Sequence, residues 1–183
     1  MKIIVGGGFG VGKATFVGSV SEIVPLTTEA VMTSASADAD DVSATPRKTT
    51  TTVAMDFGRV SLDRELILYL FGMPGQDRFW FMWDDLVKGA IGAVALVDTR
   101  RVADSFAAVD HFEASGIPFV VGVNGFDGVY SHGVEDIRDA LTIGPHVPIV
   151  TCDARNRDST KATLITLVEH ALSMRGRGVP INH

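Results

Sequence analysis

A run of glycines that ends in a lysine is the part of this 183-residue sequence best suited to chemistry. Residues 7–13 read GGFGVGK and fit the pattern G-x-x-x-x-G-K. Phosphate groups are bound by closely spaced backbone N–H groups, and glycine lets the chain curl tightly around them. An apolar run at 2–5 predicts a strand before the glycines, and helical spacing over 13–24 predicts a helix after them. The pattern therefore predicts a phosphate-binding loop, with Lys13 on the terminal phosphates.

The residue after this lysine departs from the pattern. A Ser or Thr hydroxyl normally binds Mg²⁺ there, whereas this sequence has Ala14, followed by Thr15. A methyl group cannot coordinate a metal. Two interpretations stay open: Mg²⁺ binding is weakened, or the Thr15 hydroxyl partly replaces the missing ligand.

The loop after a later apolar strand resembles the N-K-x-D motif of Ras-like GTPases. It reads Asn124-Gly125-Phe126-Asp127, so glycine stands where the family has lysine, and it follows the predicted strand 119–123. The resemblance implies that Asp127 selects guanine, whose N1–H and 2-amino group are both donors, and that Asn124 ties the loops together. Adenine offers no such pair of donors. Loss of the lysine removes a side chain that would cover the base.

A second base-side loop follows the last predicted strand. Residues 151–155 read TCDAR and lie where the S-A-K loop of the same family lies, with Ala154 matching its alanine. The resemblance implies that the Ala154 N–H faces the guanine carbonyl, with Asp153 and Arg155 on either side. The alternative is an ordinary turn between a strand and a helix.

Residues 71–79, FGMPGQDRF, are similar to the D-T-P-G-Q-E-R-F segment of small GTPases. The resemblance implies that the Gly75 N–H follows a γ-phosphate and that Gln76 orients the attacking water. The aspartate that serves the metal in the family corresponds to Gly72 here. Together with Ala14, this leaves two Mg²⁺-side groups missing.

Residues 49–57, TTTTVAMDF, resemble the T-I-G-V-D-F segment of Rab-like proteins. The resemblance implies that Thr52 is the switch threonine that reports the γ-phosphate, with the threonines at 49–51 as close alternatives. The predicted catalytic residues are Lys13 and Gln76, and the predicted metal ligands are Thr15 and Thr52. The predicted nucleotide contacts are Gly8, Gly10, Val11, Gly12, Lys13, Ala14, Thr15, Thr52, Gly75, Asn124, Asp127, Asp153, Ala154 and Arg155.

The Pro-Gly-Gln segment without a preceding aspartate looks like bacterial small GTPases, including the gliding-polarity type. The glycine loop and the TTVAMDFG segment are similar to the actinobacterial GTPases encoded in conservons. Those operons also encode a Roadblock/LC7 protein and a sensor-kinase-like protein. The resemblance implies a GTP- and GDP-binding signalling switch that needs Mg²⁺ and acts with a Roadblock-type partner. Two alternatives stay open, namely a P-loop ATPase or nucleotide kinase, and a pseudo-GTPase that holds nucleotide without turnover.

The elements that must position these residues alternate between strand and helix. This order predicts an α/β fold with a six-stranded, mostly parallel sheet, one antiparallel edge strand at 53–57 and helices on both faces. A long loop is predicted over 25–50, where no apolar periodicity occurs. We expect a single domain over 1–175 and a short flexible tail over 176–183.

Five large apolar residues, Phe79-Trp80-Phe81-Met82-Trp83, directly follow the Pro-Gly-Gln segment. They cannot all face one core on a short helix, so some of them should be exposed and mark a partner site. The alternative is that Phe79 and Trp83, four positions apart, belong to the core.

The overall composition is that of an ordinary globular protein, with 46% hydrophobic residues and a net charge of −6. A mildly acidic chain is a poor candidate for coating nucleic acid or an anionic membrane surface. The single cysteine, Cys152, fits a reducing compartment. Because no apolar run approaches the ~20 residues of a membrane span, we expect a cytoplasmic protein that reaches a membrane only by recruitment.

Overall fold

The computed structural model describes residues 1–33 and 50–177, and for 27–33 and 50–54 it describes the backbone alone. One seven-stranded sheet forms its centre, with the strand order β2-β3-β4-β1-β5-β6-β7. The strands are β1 (Lys2–Gly7), β2 (Leu26–Thr33), β3 (Thr50–Ser61), β4 (Ile67–Gly72), β5 (Ala90–Val97), β6 (Phe119–Asn124) and β7 (Ile149–Cys152).

The sheet is parallel from β4 through β1 to β7, and β3 runs antiparallel to both of its neighbours. The predicted α/β class, with a mostly parallel sheet and antiparallel pairing at one side, is therefore confirmed. One strand was not predicted: β2 occupies part of the predicted loop over 25–50, and it makes β3 the second strand from the edge. Residues 34–49 of that predicted loop lie outside the described residues.

Alternation along β1 divides the core into two layers. Ile3 and Val5 face one cluster, which includes Phe16 of the first helix and Leu164 of the last. Ile4 faces the opposite cluster, which includes Phe112. Successive side chains of a strand point to opposite faces, so a central strand buried on both faces is apolar throughout.

The helices that cover these faces are α1 (Lys13–Val20), α2 (Trp83–Val87), α3 (Phe106–Ser115), α4 (Val134–Leu141) and α5 (Arg157–Arg177). The first helix ends at Val20, earlier than the predicted 24, because Ser21 adopts an extended backbone. The last helix continues to Arg177, so 176–177 are helical and not part of a flexible tail, and 178–183 lie outside the described residues. Among the helices of the described residues, none has both the length and the apolar character needed to cross a membrane.

Candidate functional site

The glycine loop joins β1 to α1 at the carboxyl edge of the sheet. Gly7, Gly10 and Gly12 have backbone φ values of 144°, 75° and 106°, which residues other than glycine rarely adopt. The first helical hydrogen bond runs from the Phe16 N–H to the Gly12 carbonyl at 2.8 Å. The N–H groups of the first helical turn have no partner within the helix, so this turn presents donors to an anion.

A cleft of about 470 Å³ opens beside this turn. This volume is in the usual range for a small-molecule site. Predicted and unpredicted residues together line it: Phe9, Gly10, Gly12, Lys13, Ala14, Thr15, Asp56, Met73, Pro74, Gly75, Gln76, Arg78 and Phe79. The structure thus brings the glycine loop and the 73–79 segment to one site.

Lys13 is held against its own loop. Its Nζ donates to the carbonyls of Gly7 at 3.0 Å and Gly8 at 2.7 Å. Burial lowers the pKa of Lys13 to about 8, and the nearby charge of Asp56 acts in the opposite direction. The ammonium group is therefore poorly solvated, which strengthens its attraction for an incoming phosphate.

A carboxylate lies beside Gly72, the position at which small GTPases have a metal-side aspartate and this sequence has none. Gly72 ends β4, and a Cβ built on it would lie 3.3 Å from Asp56 Oδ2 on the neighbouring β3. Desolvation raises the pKa of Asp56, and Lys13 acts to lower it. Asp56 therefore supplies, from the adjacent strand, an acid that faces the same cleft.

The 74–76 segment lies directly on the glycine loop. A Cβ on Gly75 would come within 2.8 Å of Lys13 Nζ and 2.9 Å of the Phe9 nitrogen, so only glycine fits here. Gln76 lines the cleft, and its Oε1 accepts from Arg78 Nε at 2.9 Å. The predicted water-orienting oxygen is thus occupied by Arg78.

Thr52 lies within β3, paired with Val31 of β2. It stands four residues from Asp56, roughly 13 Å along the strand at the usual rise per residue. Its side chain is outside the described residues, as is all of Thr49, so the choice of switch threonine stays a prediction.

The aromatic run divides between core and surface, as the two expectations together required. Phe79 and Trp83 are buried, whereas Trp80 is 43% and Phe81 62% exposed. The indole N–H of Trp83 donates to the Pro74 carbonyl at 3.0 Å, inside the protein. The run is therefore fastened to the segment that contacts the glycine loop.

Asn124 joins the glycine loop to both base-side loops. Its Nδ2 donates to the Val11 carbonyl at 3.0 Å, and its Oδ1 accepts from the Ala154 N–H at 3.0 Å. Asn124 is buried, with 6% of its surface exposed. In this structure Asn124 Oδ1 therefore accepts from the Ala154 N–H, the donor that the resemblance assigned to the guanine carbonyl.

Asp127 occupies the first central position of a tight turn. Asp127 and Gly128 have φ values of 55° and 73°, and the Val129 N–H donates to the Phe126 carbonyl at 3.1 Å. Asp-Gly is a preferred pair for a turn with two positive φ values. The turn presents the carboxylate to solvent, where Arg155 Nη1 lies 3.2 Å from Asp127 Oδ1.

Arg155 also binds the carboxylate of Asp153, from Nε to Oδ1 at 3.2 Å. The hydrogen bonds from Arg155 lower the pKa of Asp153, and the charge of Arg155 acts in the same direction. The three charged residues that the resemblance assigned to the base side, Asp127, Asp153 and Arg155, therefore form one cluster.

The missing lysine at Gly125 is replaced by a neighbour. A Cβ on Gly125 would lie only 2.3 Å from Tyr130 Cζ. The Tyr130 hydroxyl donates to the Cys152 carbonyl at 3.1 Å, and the Gly125 N–H donates to the same oxygen at 2.8 Å. The tyrosine ring fills the space that a lysine stem would enter.

In a comparison with protein families, residues 5–174 match a family described as "conserved hypothetical ATP binding protein". The chain belongs to this family. The match includes the glycine loop, the 73–79 segment and both base-side loops. No curated protein matches the chain.

Solved structures of similar fold include G domains of an iron transporter. The FeoB G domain from Methanococcus jannaschii has 14% identity and a TM-score of 0.59, with 94% of this chain and 97% of that chain covered. The G domain of T. maritima FeoB has 14% identity and a TM-score of 0.62, with 96% and 98% covered. The GDP form I of the T. maritima FeoB cytosolic domain has 14% identity and a TM-score of 0.65, but this chain spans only 62% of its length. These likenesses establish a G-domain P-loop NTPase fold.

The donor set of the cleft fits Mg²⁺ that arrives with a nucleotide. Within the described residues no group of three or more His, Cys, Asp or Glu side chains could hold a metal. Mg²⁺ usually takes one or two protein carboxylates and fills its other positions with phosphate oxygens and water. Asp56 supplies a carboxylate and Thr15 lines the same cleft, whereas Ala14 offers no oxygen.

The sequence analysis did not select Asp56 and Tyr130, and it also left out five other residues that line the cleft, Phe9, Met73, Pro74, Arg78 and Phe79. The signal for Asp56 was an acid within the otherwise apolar VAMDF strand. The signal for Tyr130 was an aromatic residue directly after an Asp-Gly turn that follows the predicted base loop.

Proposed function

We propose that this chain is a guanine-nucleotide-binding switch that binds GTP and GDP and slowly hydrolyses GTP, with Mg²⁺ as its cofactor. The observation that carries the proposal is the Asn124 amide, which links the Val11 carbonyl to the Ala154 N–H. This link holds the glycine loop, the Asp127 loop and the Arg155 loop together. One nucleotide can then place its phosphates on the first loop and its base on the other two.

The chain's own residues supply the proposed chemistry. Lys13 and the backbone of 10–15 hold the phosphates, and Gln76 orients the attacking water after its oxygen leaves Arg78. Asp56 and Thr15 stand on the metal side, with Thr52 as the proposed switch threonine. Bound Mg²⁺ would neutralise developing charge on the phosphate oxygens.

Slow turnover follows from the state of Gln76. Its Oε1 accepts from Arg78 in the structure, so hydrolysis requires that this hydrogen bond breaks first. An arginine supplied by a partner stabilises the transition state in many enzymes of this class, and intrinsic rates are low without it.

Three observations support other functions. Ala14 lacks a metal-binding oxygen and Gln76 is engaged by Arg78, which favours a pseudo-GTPase that holds nucleotide with little turnover. The family description names ATP binding, which favours a P-loop ATPase. Asp127 argues for guanine, because a carboxylate matches two adjacent donors and adenine has no such pair on its pairing edge.

We further propose a protein partner on the exposed side chains of Trp80 and Phe81, and a Roadblock/LC7-type protein or a sensor-kinase-like protein as that partner. Exposed aromatic residues are enriched at interaction hot spots. Trp80→Ala should weaken binding of a copurified Roadblock-type partner and leave the affinity for GDP unchanged. Retention of the partner by this variant would contradict the assignment.

We propose that residues 1–175 act as one domain in the cytoplasm. The lone Cys152 carries a free, buried thiol, which suits a reducing compartment. The net charge of −6 argues against nucleic acid as a partner and against direct adsorption to an anionic membrane, so membrane contact would need recruitment.

Base exchange tests the proposed function. Asp127→Asn should weaken GDP binding by roughly a hundredfold and improve binding of xanthosine diphosphate, since a site built on hydrogen bonds rejects a mismatched base strongly. Asp139→Asn, a change of the same type on the exposed face of α4, is the matched control and should alter neither affinity. Equal GDP binding by both variants would refute the assigned role of Asp127.

A further inference from the structure

The turn at 153–155 has no backbone donor left for a base. The Asp153 N–H donates to Ser159 Oγ at 2.9 Å, and the Ala154 N–H donates to Asn124 Oδ1 at 3.0 Å. The Arg155 N–H donates to Asp153 Oδ1 at 3.0 Å. A base carbonyl that approaches this turn must therefore find its donor on a side chain.

The Arg155 guanidinium is the side-chain donor beside Asp127. Its Nη1 donates to Asp127 Oδ1 at 3.2 Å, and its Nε donates to Asp153 Oδ1 at 3.2 Å. A guanidinium carries five N–H donors, so these two bonds leave donors to spare. The side chains of Arg155 and Asp127 are 57% and 88% exposed, which leaves both open to a ligand.

The pair presents a fixed order of hydrogen-bonding groups. Arg155 offers a donor, and next to it the carboxylate of Asp127 offers two acceptors with lone pairs beyond the one that Arg155 uses. Guanine presents the complementary order, namely the O6 acceptor followed by the N1–H and 2-amino donors. Adenine presents a donor, its 6-amino group, where guanine has O6, so the arginine would face another donor.

Both members of the pair are positioned by local structure. The turn with two positive φ values fixes Asp127. The hydrogen bond from the Arg155 N–H to the Asp153 carboxylate fixes the start of the Arg155 side chain. The guanidinium also bridges two carboxylates that would otherwise repel each other. Asp153 thus serves to hold Arg155 in place.

We infer that the Arg155 guanidinium reads the 6-oxygen of a guanine base while Asp127 accepts from its N1–H and 2-amino group. The inference rests on the proposed function, since it requires that the ligand is a guanine nucleotide. Arg155 is then a specificity-determining residue, and it takes over a task that a backbone N–H would perform.

The test uses three diphosphates that differ at single positions of the base. GDP has both O6 and the 2-amino group. In 6-thio-GDP a sulfur, which is a poorer acceptor, replaces O6, and IDP keeps O6 but lacks the 2-amino group. The purified full-length chain, its Arg155→Leu and Arg155→Lys variants, and an Arg64→Leu control are titrated with each. Arg64 is an exposed arginine in the turn between β3 and β4, which precedes the amino end of β4, whereas the base-side loops follow the carboxyl ends of their strands.

The wild type and the Arg64→Leu control should prefer GDP over 6-thio-GDP by about tenfold, the size expected of one hydrogen bond to a charged group. In Arg155→Leu this ratio should fall to about one, because affinity for GDP falls and affinity for 6-thio-GDP changes little. The ratio of GDP to IDP should stay unchanged, since Asp127 is intact. Arg155→Lys keeps a cationic donor and should restore part of the preference for GDP.

A ratio of GDP to 6-thio-GDP that is the same in the wild type and in Arg155→Leu would overturn the inference and leave the proposed function intact. A fourth ligand, ADP, is titrated against the wild type to test the proposed function itself: if the wild type binds ADP as tightly as GDP, both the inference and the proposed function fail. Unchanged urea midpoints of the variants would show that a collapsed ratio arises at the base and not from unfolding.

Discussion

Removal of the Asn124 amide should destabilise the nucleotide-free protein, because this side chain satisfies two buried groups on separate loops. Asn124→Ala leaves the Val11 carbonyl and the Ala154 N–H without their partner. Val11 and Ala154 are 4% and 1% exposed, so water has little access to either. A buried polar group left unsatisfied costs about 1–3 kcal/mol, and two such groups give an expected loss of about 2–6 kcal/mol in the free energy of unfolding.

Urea unfolding followed by circular dichroism measures this loss. With a slope of about 2 kcal/mol per molar urea, the midpoint should fall by about 1–3 M and the slope should not change. Asn156→Ala is the matched control, since Asn156 Oδ1 accepts from the Ser159 N–H at 2.9 Å at an exposed helix start. Loss of such a cap costs about 1 kcal/mol. A smaller loss for Asn124→Ala than for this control would show that Asn124 does not tie the loops together.

Three further predictions concern packing, protonation and the metal. Gly125→Ala should cost about 1–3 kcal/mol of stability, because its Cβ would lie 2.3 Å from Tyr130 Cζ; Gly18→Ala, whose Cβ would meet nothing closer than 3.7 Å, should not destabilise, and equal urea midpoints for both would contradict this. The folded-state pKa of Lys13, about 8, lies below its ordinary value of 10.5, so between these pH values the unfolded chain binds one more proton and the contribution of Lys13 to stability should rise with pH. The difference in unfolding free energy between the wild type and Lys13→Met should therefore shift in favour of the wild type from pH 7 to pH 9.5. A difference that stays constant would contradict the lowered pKa. Ala14→Thr should add a metal-binding oxygen and make GTP affinity and turnover more sensitive to EDTA, and equal sensitivity in both forms would count against Asp56 and Thr15 as an incomplete ligand set.

The sequence predicts the parts of this site that depend on neighbours along the chain. The glycine loop lies between a strand and a helix, as its spacing requires, and Asn124 connects loops as the resemblance implied. Asp56 could not be selected, since its place beside Gly72 depends on the pairing of β3 with β4, which sets Phe57 opposite Phe71. Spacing along the chain carries no information about that register.

The edge strand β2 was missed for a related reason. Leu26–Thr33 follows a proline and shows no apolar alternation, so it was predicted as part of a loop. Its strand conformation is tied to pairing with β3, from Leu26 opposite Phe57 to Thr33 opposite Thr50. β-Propensity depends strongly on such context, and the local sequence does not show which strand will pair with it.

Competition between GDP and ADP for the nucleotide-free protein would decide whether this chain is a guanine-nucleotide switch. A fluorescent GDP analogue is bound first, and each unlabelled diphosphate is titrated against it in the presence of Mg²⁺. GDP should displace the probe at concentrations roughly a hundredfold or more below those of ADP, because Asp127 matches two donors that adenine lacks. Displacement by ADP at equal or lower concentrations would contradict a guanine-nucleotide switch and favour the ATP-binding alternative.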